Sequence, residues 1–154
     1  MSGLSAALSI AAATLTLLAC SGDGPTSVQS LRELAAARGR WAQRGSADYT
    51  VESRYSCFCP PFLTRWTRLT VRGGVVVAAD PLEAAPPGDF PILLAWATVD
   101  QLFAQASSPR GGAISRMSFR FDDELGYPLM VSTFCRPTVL DCGSTVYMRN
   151  LRLK

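Results

Sequence analysis

Cysteines are the residues here whose spacing could do chemistry. Cys57 and Cys59 stand one residue apart in YSCFCPP (55–61), and Cys135 and Cys142 bracket CRPTVLDC near the C-terminus. Thiols so placed can ligate a metal, cycle as a redox pair or close bridges. Zinc sites usually space paired thiolates by about two to four residues, and CxC does not. Disulfide oxidoreductases set a low-pKa thiol at a helix N-terminus. Cys57 is instead expected at a strand end, running into Pro60 and Pro61. Four thiols in an exported domain most often form two disulfides, with three possible pairings. Local pairing, Cys57 with Cys59 and Cys135 with Cys142, is the favoured one. A staple between the two segments is its competitor, and free or metal-bound thiols are the third option.

The fifth cysteine, Cys20, points to export. Residues 4–19, LSAALSIAAATLTLLA, are uncharged and apolar or small. The run is short for a membrane span and fits the apolar region of a signal peptide. LLAC (17–20) resembles the bacterial lipobox, in which the signal is cut before the cysteine and that cysteine carries the lipid. Residues 1–10 depart from the usual pattern in having no Lys or Arg. The expected organisation is a lipoprotein signal over 1–19, lipidated Cys20 with a Gly/Ser/Pro tether over 20–28, and one domain over 29–154. The expected location is the cell envelope, exported and lipid-anchored, on the periplasmic side or in an outer membrane. The membrane is then a partner through the lipid on Cys20.

Composition removes several function classes. The chain has no histidine, which excludes Ser-His-Asp and Cys-His catalysis, His-ligated zinc and a histidine proton switch. No P-loop, Rossmann glycine signature or GxSxG occurs, and no cofactor is expected. Fifteen Lys and Arg face twelve Asp and Glu, for a net charge of +3. The arginines are scattered without a basic block or aromatic-interleaved patch, so nucleic acid is not an expected partner.

Two further clusters are candidates. Trp66 shares a strand face with Arg68 and Arg72; such a grouping is either a binding patch or a tryptophan covered by the 81–96 loop. Asp122, Asp123 and Glu124 could hold Ca²⁺, but Asp before Gly126 is the chemistry of a turn. Asp48, Glu52 and Asp100 are scattered, and nothing in the sequence pairs them for glycosidic chemistry.

These residues need elements to position them. SLRELAAARGRWAQRG (30–45) reads as a helix, with a Ser30–Glu33 capping box, Leu31, Leu34, Ala35, Arg38 and Trp41 at helical spacing that turns Trp41 to the core, and Gly45 as its stop. Residues 48–57 alternate as a half-buried strand, with Tyr49, Val51, Ser53, Tyr55 and Cys57 on the core face and Thr50, Glu52, Arg54 and Ser56 on the solvated one. Residues 65–80 form a hairpin turning at Gly73-Gly74. A Pro-rich loop over 81–91 follows. A second helix over 97–108 starts at a Thr98–Gln101 capping box and buries Val99, Leu102, Phe103 and Ala106. Strands over 114–122, 129–135 and 144–153 complete an α+β fold. The expected architecture is an antiparallel sheet of about six strands with two helices packed on one face, in the order α-β-β-β-α-β-β-β.

Trp41 near a helix end, Asp48-Tyr49 opening a strand, CFCPP closing it, the VRGGVV hairpin, the TVDQLF helix and FDDELGYPLMV together resemble a family of bacterial lipoproteins known only as a domain of unknown function (number 6174). The resemblance covers roughly residues 30–152. It implies an exported or lipid-anchored α+β domain with no assigned activity and no catalytic residues to carry over. The last turn departs from the family pattern, which is acidic and without cysteines there.

The reading is a lipid-anchored envelope protein that binds an unidentified protein or small molecule, or is structural, and is not an enzyme. The alternative is a thiol–disulfide or metal-handling lipoprotein using Cys57 and Cys59.

Overall fold

The computed structural model describes residues 28–84, 92–107, 114–139 and 143–154. The signal segment, Cys20, most of its tether, Cys142 and much of the 81–91 loop lie outside the described residues.

The alternating segments yield one six-stranded sheet, ordered β3-β2-β1-β6-β5-β4 with every neighbouring pair antiparallel. The strands are β1 (Tyr49–Ser56), β2 (Thr67–Arg72), β3 (Val75–Pro81), β4 (Ile114–Phe121), β5 (Pro128–Cys135) and β6 (Ser144–Leu153). Two local meanders meet at the β1–β6 pairing, so the first and last strands lie side by side at the sheet centre. Period-two alternation sends Tyr49, Val51, Leu69, Val71, Val131, Val146 and Met148 to the core side.

The expected order α-β-β-β-α-β-β-β and its two helices on one face do not hold. The observed order carries a third helix between the first two strands: α1 (Val28–Arg44), β1, α2 (Pro61–Thr64), β2, β3, a 3₁₀ turn (Leu93–Ala95), α3 (Val99–Ser107), then β4 to β6. α2 packs on β1, the 3₁₀ turn on β3, α1 on β4 and on α3, and α3 on β5. Four helical pieces thus take the place of a two-helix layer. α2 follows from the prolines. Pro61 occupies its first turn, where a missing N–H is harmless and φ is preset. Phe62 and Leu63 then enter the core.

α1 begins before Ser30, so the Ser30–Glu33 pair sits inside the helix and is not its cap. Its buried stripe is Leu34, Ala37 and Trp41, while Leu31, Ala35 and Arg38 are exposed. Trp41 is buried as expected; its Nε1 donates to Asp100 Oδ1 at 3.1 Å, and its ring meets Tyr49 edge-on at 5.5 Å. Gly45 ends the helix by approach, because a Cβ there would stand 2.5 Å from the Trp41 indole. The second capping box forms as read: Gln101 N donates to Thr98 Oγ1 at 3.3 Å, and Thr98 N to Gln101 Oε1 at 2.9 Å. Val99 N, at the start of α3, donates to the Tyr49 hydroxyl at 2.9 Å. Burial is the main influence on Tyr49 and pushes its phenol up to about 12.

Gly73 and Gly74 both have positive φ, as a primed hairpin turn requires. The acidic cluster is a turn. Asp122 Oδ1 accepts from the N–H groups of Glu124 and Leu125 at 3.1 and 2.7 Å. Arg40 and Arg44 of α1 donate to the carbonyls of Asp122 and Glu124.

Candidate functional site

Away from the core side, the central strands present a cationic face. Register places Arg68 of β2, Glu52 of β1 and Arg149 of β6 in one cross-strand row. In the next row, Arg54 lies opposite Tyr147. Trp66, just before β2, joins Arg54 from the other side.

Trp66 is half-buried under arginine. The Arg149 guanidinium centre lies 3.9 Å from its ring centroid and that of Arg54 lies 5.0 Å away. Arg54 also stands 5.0 Å from the Tyr147 ring, and Arg116 of β4 covers Phe134 at 4.4 Å. A guanidinium set over a ring is attracted by its π face, while Arg149 also donates its Nε–H to Glu52 and Arg54 Nε is buried.

Glu52 was expected on a solvated face, yet it is only 8% exposed. The reason is a bulge opposite it. Between Glu52 and Thr50 the pairing with β6 slips by one residue, and Asn150 takes φ of 53°. Asn tolerates that left-handed conformation better than most residues. Arg149 Nε and Asn150 Nδ2 then both donate to Glu52 Oε2, at 2.9 and 3.0 Å, and Arg68 reaches Oε1 at 3.5 Å. Burial pushes the Glu52 carboxyl up, but these donors outweigh it and leave its pKa below the usual glutamate range. Glu52, Arg68, Asn150, Arg152 and Lys154 line a shallow recess of about 450 Å³.

Of the expected patch, Trp66 is therefore at the centre, but its partners are Arg54 and Arg149. Arg68 turns to Glu52, and Arg72 pairs with Asp48 at 3.5 Å. Arg54, Arg116 and Arg152 have no carboxylate partner among the described residues. Sequence reasoning missed Arg54, Arg149 and Arg152 because strand pairing brings them in from far along the chain.

Cys57 and Cys59 are bonded to each other, with Cα atoms 5.3 Å apart. The link turns Phe58 outward, 91% exposed, while Cys59 packs against the core. Cys135 is also in a disulfide, and its expected partner, Cys142, lies outside the described residues. Among the described residues no three His, Cys, Asp or Glu side chains gather as a metal site would need.

On the core side, between α3 and β4, a cavity of about 680 Å³ is lined by Tyr55, Trp96, Gln101, Gln105, Ile114 and Met117. Trp96 Nε1 is buried there without a hydrogen-bond partner among the described residues.

Residues 33–152 match the model of a family of unknown function, DUF6174. The chain belongs to that family. No curated protein and no solved structure matches it. The DUF6174 match spans α1 through β6, so both the arginine face and the helix-side cavity fall inside the family domain. No described helix of this DUF6174 member is long and apolar enough to cross a membrane.

Proposed function

We propose that the chain is a lipid-anchored binding module of the bacterial envelope that engages an anionic partner through the Trp66 face and performs no catalysis. Cys20 is the lipidated residue in this reading, and the tether after it leads directly into α1. The observation that carries the binding assignment is the Trp66 ring held by Arg149 and Arg54 at 3.9 and 5.0 Å. Contact with the ring holds two guanidinium groups in place, which lowers the entropy lost when they bind an anion. Arg152 and Arg116 add charge that no described carboxylate neutralises.

The absence of catalysis is supported by how the candidate carboxylates are engaged. Glu52 is held by Arg149, Asn150 and Arg68; Asp100 accepts from Trp41; Asp48 accepts from Gly73 N at 2.7 Å. Each has a structural partner, and no histidine exists to work beside them.

Retention of the full chain on immobilised heparin, used as a polyanion probe, tests the binding reading. Wild type should elute at clearly higher salt than the Arg54→Ala/Arg149→Ala variant. Equal elution would remove the face from the account. Cys20→Ser tests the anchor, since it should release the protein from membranes under a high-salt wash.

A further inference from the structure

We propose that the anionic partner is the headgroup layer of the bilayer that holds the chain, so that the arginine face lies flat on the membrane. The inference rests on the reading above, that the chain is anchored at Cys20 and that this face takes anions. It adds the identity of the surface.

The cations extend over a plane well beyond the recess beside Glu52: Arg68 and Arg152 line it, while Arg54, Arg149 and Arg116 lie outside it. Arg68 is on β2, Arg54 on β1, Arg149 and Arg152 on β6, and Arg116 on β4. With the order β2-β1-β6-β5-β4, they span four strand spacings, or about 19 Å. A small acidic ligand would need convergent donors around a recess. The recess present sets Arg68, Arg152 and Lys154 beside the Glu52 carboxylate, but Arg54, Arg149 and Arg116 do not line it, so a ligand there would use only part of the face. A headgroup layer instead offers phosphates across a plane, and guanidinium groups take phosphate oxygens in pairs.

The rings on this face fit the same partner. Trp66, Tyr147 and Phe134 lie against Arg54, Arg149 and Arg116. Amphipathic aromatic rings beside cations are the usual occupants of the headgroup level. Chain length allows the contact. From Cys20 to the first residue of α1 at Val28 the backbone reaches at most about 28 Å, well over the roughly 10–12 Å diameter of one helix. An anchored domain can therefore turn its sheet face to the bilayer, where the tether holds it at high effective concentration. Each cation near an anionic leaflet then favours the docked state by roughly five-fold.

The test uses the full lipidated chain in phosphatidylcholine vesicles, with and without phosphatidylglycerol, each doped with brominated lipid. The readout is quenching of Trp66 fluorescence, with Trp66→Phe identifying its share of the signal. Quenching should be several-fold deeper with phosphatidylglycerol and should be lost on adding salt. It should also be lost in Arg116→Glu/Arg152→Glu, which changes two exposed side chains that make no hydrogen bond to Glu52. Equal quenching in both lipids, or quenching indifferent to salt, would overturn the membrane assignment. Binding to heparin without lipid-dependent quenching would also overturn it while leaving the anionic-partner reading standing. Loss of the chain from both kinds of vesicle in a salt wash would instead remove the anchor at Cys20.

Discussion

Arg149 joins Glu52 and Trp66 through one guanidinium: its Nε donates to Glu52 Oε2 at 2.9 Å, and its centre lies 3.9 Å from the Trp66 ring centroid. The carboxylate thereby sets the position of the cation that covers the indole. Glu52 is thus a positioning group for the face, and its charge matters because it holds Arg149 and Arg68.

That coupling gives a pH dependence. The folded-state pKa of Glu52 is below its ordinary value. Its contribution to stability is therefore present above the ordinary glutamate range and is lost as pH falls through the lowered folded value. Glu52→Gln should be less stable than wild type at neutral pH. The gap should narrow as pH falls below the ordinary glutamate range, read as urea midpoints. At the alkaline end Tyr49 acts in the opposite sense. Its phenol is raised from 10.0 to about 12, so stability is full below 10.0 and falls as pH rises through about 12. A midpoint that is flat across that alkaline window would contradict the burial of Tyr49.

Trp41→Ala should destabilise the domain by roughly 3–5 kcal/mol, the usual result of deleting a large buried aromatic. The variant also leaves Asp100 without its indole donor and Tyr49 without its ring neighbour. A denaturant melt showing a change under about 1 kcal/mol would contradict that packing.

Gly126→Ala should destabilise by roughly 1–3 kcal/mol. Gly126 has φ of 81°, and a Cβ there would collide with the Ala37 carbonyl. The β4–β5 turn would have to lift from α1, breaking the donations from Arg40 and Arg44. Gly73→Ala makes the comparison, since it has positive φ with nothing within 4 Å. It should lose less. Equal losses at the two positions would mean that backbone strain alone is at work.

The local elements were legible in the sequence, and the long-range ones were not. Alternation marked the strands over 48–57 and 114–122 and the first arm of the 65–80 hairpin, Gly73-Gly74 announced the primed turn, and Thr98 with Gln101 announced the α3 cap. Each of those signals is complete within a few residues. The Ser30–Glu33 box misled because the same spacing also occurs inside a helix, and this helix starts earlier. α2 is too short for its periodicity to show, and Pro60-Pro61 after a strand end does not announce a helix, although proline also starts helices. Glu52 was assigned to a solvated face because alternation gives a side, whereas burial came from a bulge 97 and 98 residues further on. Trp66 was picked out with its strand neighbours Arg68 and Arg72. Its actual partners are Arg54 and Arg149, which only the register brings to it.

Non-reducing peptide mapping should find no free thiol among Cys57, Cys59, Cys135 and Cys142, and should link Cys135 to Cys142. Cys57→Ser/Cys59→Ser should leave the fold largely intact, since so short a loop constrains the unfolded chain little. A loss of several kcal/mol in that variant would contradict a purely local role.

The most direct test of the binding claim is a nuclear magnetic resonance titration of the full chain with heparin as the anionic probe. The Trp66 indole N–H signal and the amides of β1, β2 and β6 around Arg54, Arg68 and Arg149 should shift together, with Arg54→Ala/Arg149→Ala abolishing the response. Shifts confined to the helix-side cavity, at Tyr55, Trp96, Gln101 and Gln105, would contradict it and move the binding site to the other side of the sheet.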